Sequence, residues 1–379
     1  MEFSFTEEQG LLRESAKAFL AENSNSIKVR EAMESSLIYN QEVWKKMSEE
    51  MGWLALLIPE EYDGLGLTWV ELIILLEQMG YFLLCSPFHS TVCLGVTSLI
   101  EAGNEKQKKN FLPKIANGSM QITLACLEPN GDWTSTGITS TYKKSNNDFI
   151  ITGVKKYVPF GHSADKIIVI AREEGSSGNE GITLFLIDSG AENLDVRKLN
   201  TMDQTRPQSL INLDKVRISK DSILGEIGGG WTILEKIRTY GALGVSAEQV
   251  GGAQRCLDMT CNFVLEREQF GRQIGSFQSV KHRLADMMVL VESARSAAYY
   301  ASCITGSNLK ELEETVSIAK SYCSEAFFKC AADAIQLHGG VGFTWEYDTH
   351  LFFKRAKSSE IYFGDPSFHK NKISNILGL

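Results

Sequence analysis

Residues 336–365 read QLHGGVGFTWEYDTHLFFKRAKSSEIYFGD. A helical stretch closes at Gln336-Leu337-His338, and Gly339, Gly340 and Gly342 supply the turn that caps it. A second helical stretch follows, with Lys354, Arg355 and Lys357 on a basic, solvated face. Working backwards, helical periodicity at 231–268, 276–306, 308–338 and 345–359 predicts a four-helix bundle. It opens at the glycine turn Gly228-Gly229-Gly230-Trp231.

Further out, the pattern changes twice. Residues 119–225 carry short β-rich runs, Met120–Leu127, Asp148–Gly153, Lys166–Ala171, Ile182–Asp188 and Ser209–Leu213, between Gly/Ser/Asn turns. They predict a small antiparallel β domain, a sandwich or barrel. Residues 1–118 are helical again, starting at a Thr6/Gln9 capping box and continuing through Gln41–Gly52, Thr68–Met79 and Glu105–Asn117. The expected architecture is α+β and multidomain: an N-terminal helical domain (1–118), a middle β domain (119–225) and a C-terminal four-helix bundle (226–379). A flat cofactor could sit where the β domain meets the bundle.

Composition narrows the function classes. A net charge of −9 argues against a nucleic-acid partner and leaves no polybasic membrane anchor. The longest apolar runs, such as Trp53–Ile58, are far too short to span a bilayer. No basic n-region precedes an apolar h-region, so a cytoplasmic protein is expected. The eight cysteines show no CxxC pair and no metal-ligand spacing, which suits buried thiols in a reducing compartment.

Several motifs, in one order, resemble the acyl-CoA dehydrogenase family over nearly the whole chain. They are GWLALLIPEEYDGLGL (52–67), Leu127-Glu128-Pro129, LGEIGGGW (224–231), REQFGRQIGSFQSVKHRLADM (267–287) and QLHGGVGF (336–343). The resemblance implies noncovalent FAD and an acyl-CoA thioester. In that family a carboxylate removes the α proton while the β hydride passes to flavin N5. Such a base needs burial to raise its pKa, because a solvated carboxylate is too weak for a thioester α proton.

The resemblance also implies that each FAD site is built from two subunits of a tetramer. On the half lent to a neighbour, Arg267 matches the pyrophosphate arginine, Phe270 and Gln278 match adenosine contacts, and Gln336 and Gly340 match pyrophosphate contacts. The plain alternative for Arg267 is an ion pair with Glu266 or Glu268; for the glycines it is a helix cap. The half that holds a subunit's own flavin ring departs from the family pattern. Leu127 and Pro159 stand where hydroxyls are expected, Asn130-Gly131-Asp132-Trp133 is shortened, and Phe363 replaces the catalytic glutamate. Some members place the base at the position of Gly241 instead. The remaining carboxylate candidates are Glu248, two turns further along that helix, and Asp365. Glu248 reads more readily as a structural carboxylate, bonded across the bundle to an Arg or hydroxyl.

Three functions follow from this pattern. One is the degenerate partner in an α2β2 enzyme of the steroid side chain or dicarboxylic acyl-CoA type, suggested by Phe363-Gly364-Asp365 and His369. The others are a self-sufficient homotetramer with a relocated base and a non-catalytic scaffold. The resemblance further implies an electron-transfer flavoprotein as the reoxidant.

Overall fold

The computed structural model describes residues 6–379. In chain order the helices are α1 (Glu7–Asn23), α2 (Ser26–Glu34), α3 (Gln41–Glu49), α4 (Trp69–Tyr81), α5 (Thr97–Ala102) and α6 (Glu105–Ala116). The strands are β1 (Ile122–Ala125), β2 (Thr141–Ser145), β3 (Asp148–Pro159), β4 (Lys166–Glu173), β5 (Ile182–Asp188), β6 (Leu194–Lys198), β7 (Gln208–Ser219) and β8 (Ile223–Leu224). Helix α7 (Gly230–Glu266) follows, then a hairpin of β9 (Glu268–Gln269) and β10 (Arg272–Gln273), then α8 (Gln278–Cys303), α9 (Leu309–His338), α10 (Thr349–Ile361) and α11 (Pro366–Leu377). The chain forms two compact units, one of residues 1–34, 69–85 and 242–379, the other of 35–68 and 86–241.

The first unit is helical throughout, apart from the short hairpin. Thr6 caps α1 as its sequence predicts: its hydroxyl accepts the Gln9 N–H at 3.2 Å, and the Gln9 side chain returns the bond. The long helices meet over small residues. A Cβ at Gly251 would lie 1.8 Å from the Glu77 carbonyl, and one at Gly80 would lie 2.0 Å from the Glu248 carbonyl. Backbone therefore touches backbone where α4 crosses α7. The core beside this crossing is built from Ala253, Cys256, Phe327, Ala331, Leu351 and Phe352, all buried.

The second unit is built on one eight-stranded sheet, ordered β6-β7-β3-β2-β4-β5-β8, with β1 beside β4. Most pairings are antiparallel, as the alternating strands predict, but β1 and β2 each run parallel to β4. In its core Tyr142 packs edge to face on Phe149 and Phe185, which tilt against each other, with ring centroids 5.1–5.7 Å apart. Strands β2 and β6 were not among the predicted runs, because their sequences, TYKKS and LDVRK, carry the charge of half-exposed strands. The buried turn His89–Val96 is a π-helix. Among the described residues, no helix is long and apolar enough to cross a membrane.

Candidate flavin-binding site

Helix α7 ends at Glu266, and the chain reverses through the β9–β10 hairpin. The two central residues of that turn, Phe270 and Gly271, both have positive φ (56° and 76°). This primed geometry normally selects asparagine or glycine. A phenylalanine there is strained, and it is 91% exposed, with an edge-on contact to Phe277 at 6.1 Å. Arg267 is held at the base of the hairpin by its backbone, its N–H on the Phe263 carbonyl and its carbonyl taking the Ile274 N–H. Its guanidinium is exposed and makes no ion pair among the described residues. The expected alternative, pairing with Glu266 or Glu268, is therefore not what the structure records. Gln278 opens α8, where the first N–H groups of a helix have no partner within it.

The same end of this unit carries the turn after α9. Phe263, one turn before Arg267, stacks on His338 with centroids 4.2 Å apart, which ties the end of α7 to the end of α9. His338 Nδ1–H donates to the Ala334 carbonyl at 2.7 Å. Burial pushes its pKa down against that bond. Gly339, at φ 65°, caps α9 in a conformation that suits glycine. A Cβ added at Gly339 or Gly340 would meet nothing within 4 Å, so the space above both is open. Beside them Gln336, Gly339, Ala332, Ile335, Phe343 and Phe353 line a cavity of about 390 Å³. The turn caps the helix and leaves its backbone exposed. An unpaired guanidinium, a free amide and open backbone at one end of a bundle can grip a phosphate-bearing group.

The β unit holds the residues matched to a subunit's own flavin ring. Glu128 is 2% exposed and accepts from Lys155 Nζ at 2.6 Å, the N–H groups of Thr139 and Ser140 at 2.9 Å, and the Thr139 hydroxyl. Burial opposes its ionisation, but the Lys155 charge and these bonds outweigh it and hold the carboxyl below its usual range. Glu128 is a structural anchor; Lys155, its partner, was invisible as such in the sequence. Leu127 has no polar side chain, and its carbonyl takes the Lys156 N–H at 2.9 Å. Tyr157 sits at a bulge in β3 with φ 59° and is 40% exposed. Pro159 is buried, and its carbonyl accepts the Thr123 hydroxyl at 2.6 Å. Neither Leu127 nor Pro159 has a side-chain donor for a ring. In the shortened loop the Asn130 amide donates to Gly137, and Arg238 donates to the Trp133 carbonyl at 2.6 Å.

The carboxylate candidates occupy separate elements. Phe363 is 2% exposed at φ 61°, and Gly364 follows at φ 104°. This turn is tied down from behind: buried Lys320 donates to the Glu360 and Gly364 carbonyls at 3.0 and 3.2 Å, and His369 Nε2–H donates to the Phe363 carbonyl at 3.1 Å. Asp365 is exposed and caps α11, accepting the Phe368 N–H at 2.8 Å. Glu248 is half-buried in mid-α7. Its neighbour Gln249 bonds Ser324, which in turn receives a bond from Lys320. Lys320 was missed in the sequence because a lysine inside a helical repeat reads as a solvated residue. At Gly241, the other base position, the carbonyl meets Nε2 of buried His89 at 3.0 Å.

Family models for acyl-CoA dehydrogenase match the chain in three pieces: N-terminal domain (6–119), middle domain (123–216) and C-terminal domain (228–377). The chain is 33% identical to the acyl-CoA dehydrogenase IpdE2 of Mycolicibacterium smegmatis, covering 95% of this chain and 96% of that one. It is 27% identical to the caffeyl-CoA reductase–Etf complex subunit CarC of Acetobacterium woodii, over 98% and 99% of the two chains. Its fold matches butyryl-CoA dehydrogenase from Megasphaera elsdenii with a TM-score of 0.92 at 25% identity, over the full length of both. The chain belongs to the acyl-CoA dehydrogenase family, oxidoreductases that use FAD to dehydrogenate acyl-CoA thioesters.

Proposed function

We propose that this chain is the partner subunit of an α2β2 acyl-CoA dehydrogenase, lending half of an FAD site whose flavin ring lies in a catalytic subunit. The observation that carries this reading is an asymmetry within one chain. Arg267, Phe270, Gln278, Gln336 and Gly340 are exposed around open backbone. Leu127 and Pro159 have no side-chain donor, and the turn that should carry the base holds a buried Phe363. FAD, when bound, accepts the hydride; this chain's part is to hold its phosphates and adenosine. Arg267 supplies a guanidinium, Gln336 an amide, and Gly340 an approach with no side chain in the way.

The base belongs to the catalytic subunit on this reading. Asp365 is engaged as a helix cap at the surface, accepting the Phe368 N–H. Glu248 is the one remaining candidate in the alternative, a self-sufficient homotetramer. The Phe363-Gly364-Asp365 tail with His369 supports a substrate of the steroid side chain or dicarboxylic acyl-CoA type, and the likeness to CarC, a subunit of a caffeyl-CoA reductase–Etf complex, supports an electron-transfer flavoprotein as reoxidant. The test is to purify the chain alone and with its co-expressed partner, then count flavin and assay turnover. The chain alone is expected to hold FAD weakly and to turn over slowly or not at all, since a missing positioned base costs about 10²–10⁴-fold. A yellow, fully loaded preparation of the single chain with brisk turnover would contradict the proposal.

A further inference from the structure

A buried cation joins the loop after β1 to the first turns of α7. Arg238 is 8% exposed, and its guanidinium lies 5.3 Å from the Trp133 ring centroid and 5.8 Å from that of Trp231. It also donates to the Trp133 carbonyl at 2.6 Å. Two indole faces and a carbonyl stand in for part of the hydration that a buried guanidinium gives up. Its charge reaches back along the same loop, where burial pushes the Cys126 thiol up against the Arg238 and Lys155 charges. Cys126 precedes Leu127, the position matched to a flavin-ring contact, and Gly241, the alternative position of the base, follows Arg238 by about one helical turn.

The helix segment that carries Arg238 is fixed on either side of it. The Gly228 N–H donates to the Thr183 hydroxyl at 2.8 Å, and a Cβ at Gly230 would lie 2.8 Å from the Ile182 carbonyl, so Trp231 begins α7 directly against β5. Lys236 pairs with Glu101 of α5 at 2.7 Å, and His89 Nε2 meets the Gly241 carbonyl at 3.0 Å. The chemistry of dehydrogenation gives that fixed position its meaning. An α proton leaves toward the base as a β hydride leaves toward the ring, so the Cα–Cβ bond must lie between the two, with reacting atoms about 3–3.5 Å apart. A guanidinium that spans from α7 to the ring loop, one turn from Gly241, stands across the entrance to that gap. We propose that Arg238, held between Trp133 and Trp231, closes this chain's own thioester site, so that the assembled enzyme takes acyl-CoA only in its catalytic subunits. This rests on the reading that the flavin ring lies in the catalytic subunit, and it adds a separate cause. The missing hydroxyls and base remove chemistry from this chain, whereas the arginine bridge keeps the substrate out.

The experiment is equilibrium dialysis of the assembled complex against acetoacetyl-CoA, a thioester with no β hydrogen to lose and so not consumed. Bound thioester and bound flavin are each counted per αβ pair. Wild type should hold one flavin and one thioester per pair. Arg238→Ala and Trp133→Ala, each checked for unchanged native mass and circular dichroism, should hold one flavin and two thioesters. Two thioesters per wild-type pair with one flavin would overturn the closure and leave the half-site reading standing. One thioester per pair in the folded variants would overturn it as well, because the arginine bridge would then not be what closes the site. Two flavins per wild-type pair would overturn the half-site reading instead, and the thioester count would still decide the closure.

Discussion

At the residue scale, side chains at sequence-equivalent positions have been put to different physical uses. Phe363 keeps a left-handed, buried backbone where a carboxylate is expected, and Lys320 and His369 still clamp that turn. Asp365 is explained by its bond to the Phe368 N–H. Asp365→Ala should therefore cost about 1 kcal/mol of stability through the lost cap, read by thermal denaturation. Asp365→Asn should restore the stability. In the assembled complex, neither Asp365→Asn nor Glu248→Gln should change kcat if this chain is the non-catalytic partner. A sharp fall in kcat with flavin retained in Glu248→Gln would make Glu248 the base and end that account. Much of this site was legible as residue identities in the sequence: the exposed Arg267, the open glycines and the missing hydroxyls. What could not be read were polar partners distant in the chain. Nothing near Glu128 names Lys155, and nothing near residue 363 names Lys320.

At the element scale, the longest helices were read well because their periodicity is long and their caps are local, whereas α2, α5 and α11 were not among the predicted stretches. Thr6/Gln9 and the Gly339 turn both stand where the residue types place them. The strands β2 and β6 were not, because half-exposed strands carry lysines and lose their alternation. Parallel pairing of β1 and β2 with β4 is likewise a property of topology, to which a local pattern is blind. Close helix crossing makes a sharper prediction. Gly251 has the Glu77 carbonyl 1.8 Å from its would-be Cβ, and backbone cannot step aside as a side chain tip can. Gly251→Ala should destabilise the helical unit by at least the roughly 1–3 kcal/mol of ordinary overpacking, visible as a lower Tm. A Tm equal to wild type would show that α4 and α7 can separate at little cost. Gly340 provides the contrast: nothing fills the space there, so Gly340→Ala should leave Tm unchanged and weaken flavin retention instead.

For the whole molecule, the proposed phosphate-holding groups Arg267, Gln336 and Gly340 stand exposed on the helical unit, while Leu127 and Pro159 on the β unit have no side-chain donor for the proposed ring site. A protein serving only its own flavin would have no use for that imbalance. A protein giving half a site to another subunit would. The measurement that tests this most directly is flavin retention in the assembled complex of the Arg267→Ala variant. Arg267 contributes nothing to the bundle core, so the complex should assemble with unchanged native mass. Its flavin should dissociate more readily, by about 1.5–3 kcal/mol or roughly ten- to a hundredfold in Kd, as loss of a charge-assisted hydrogen bond requires. An assembled Arg267→Ala complex that holds its FAD as tightly as wild type would contradict the lent half-site.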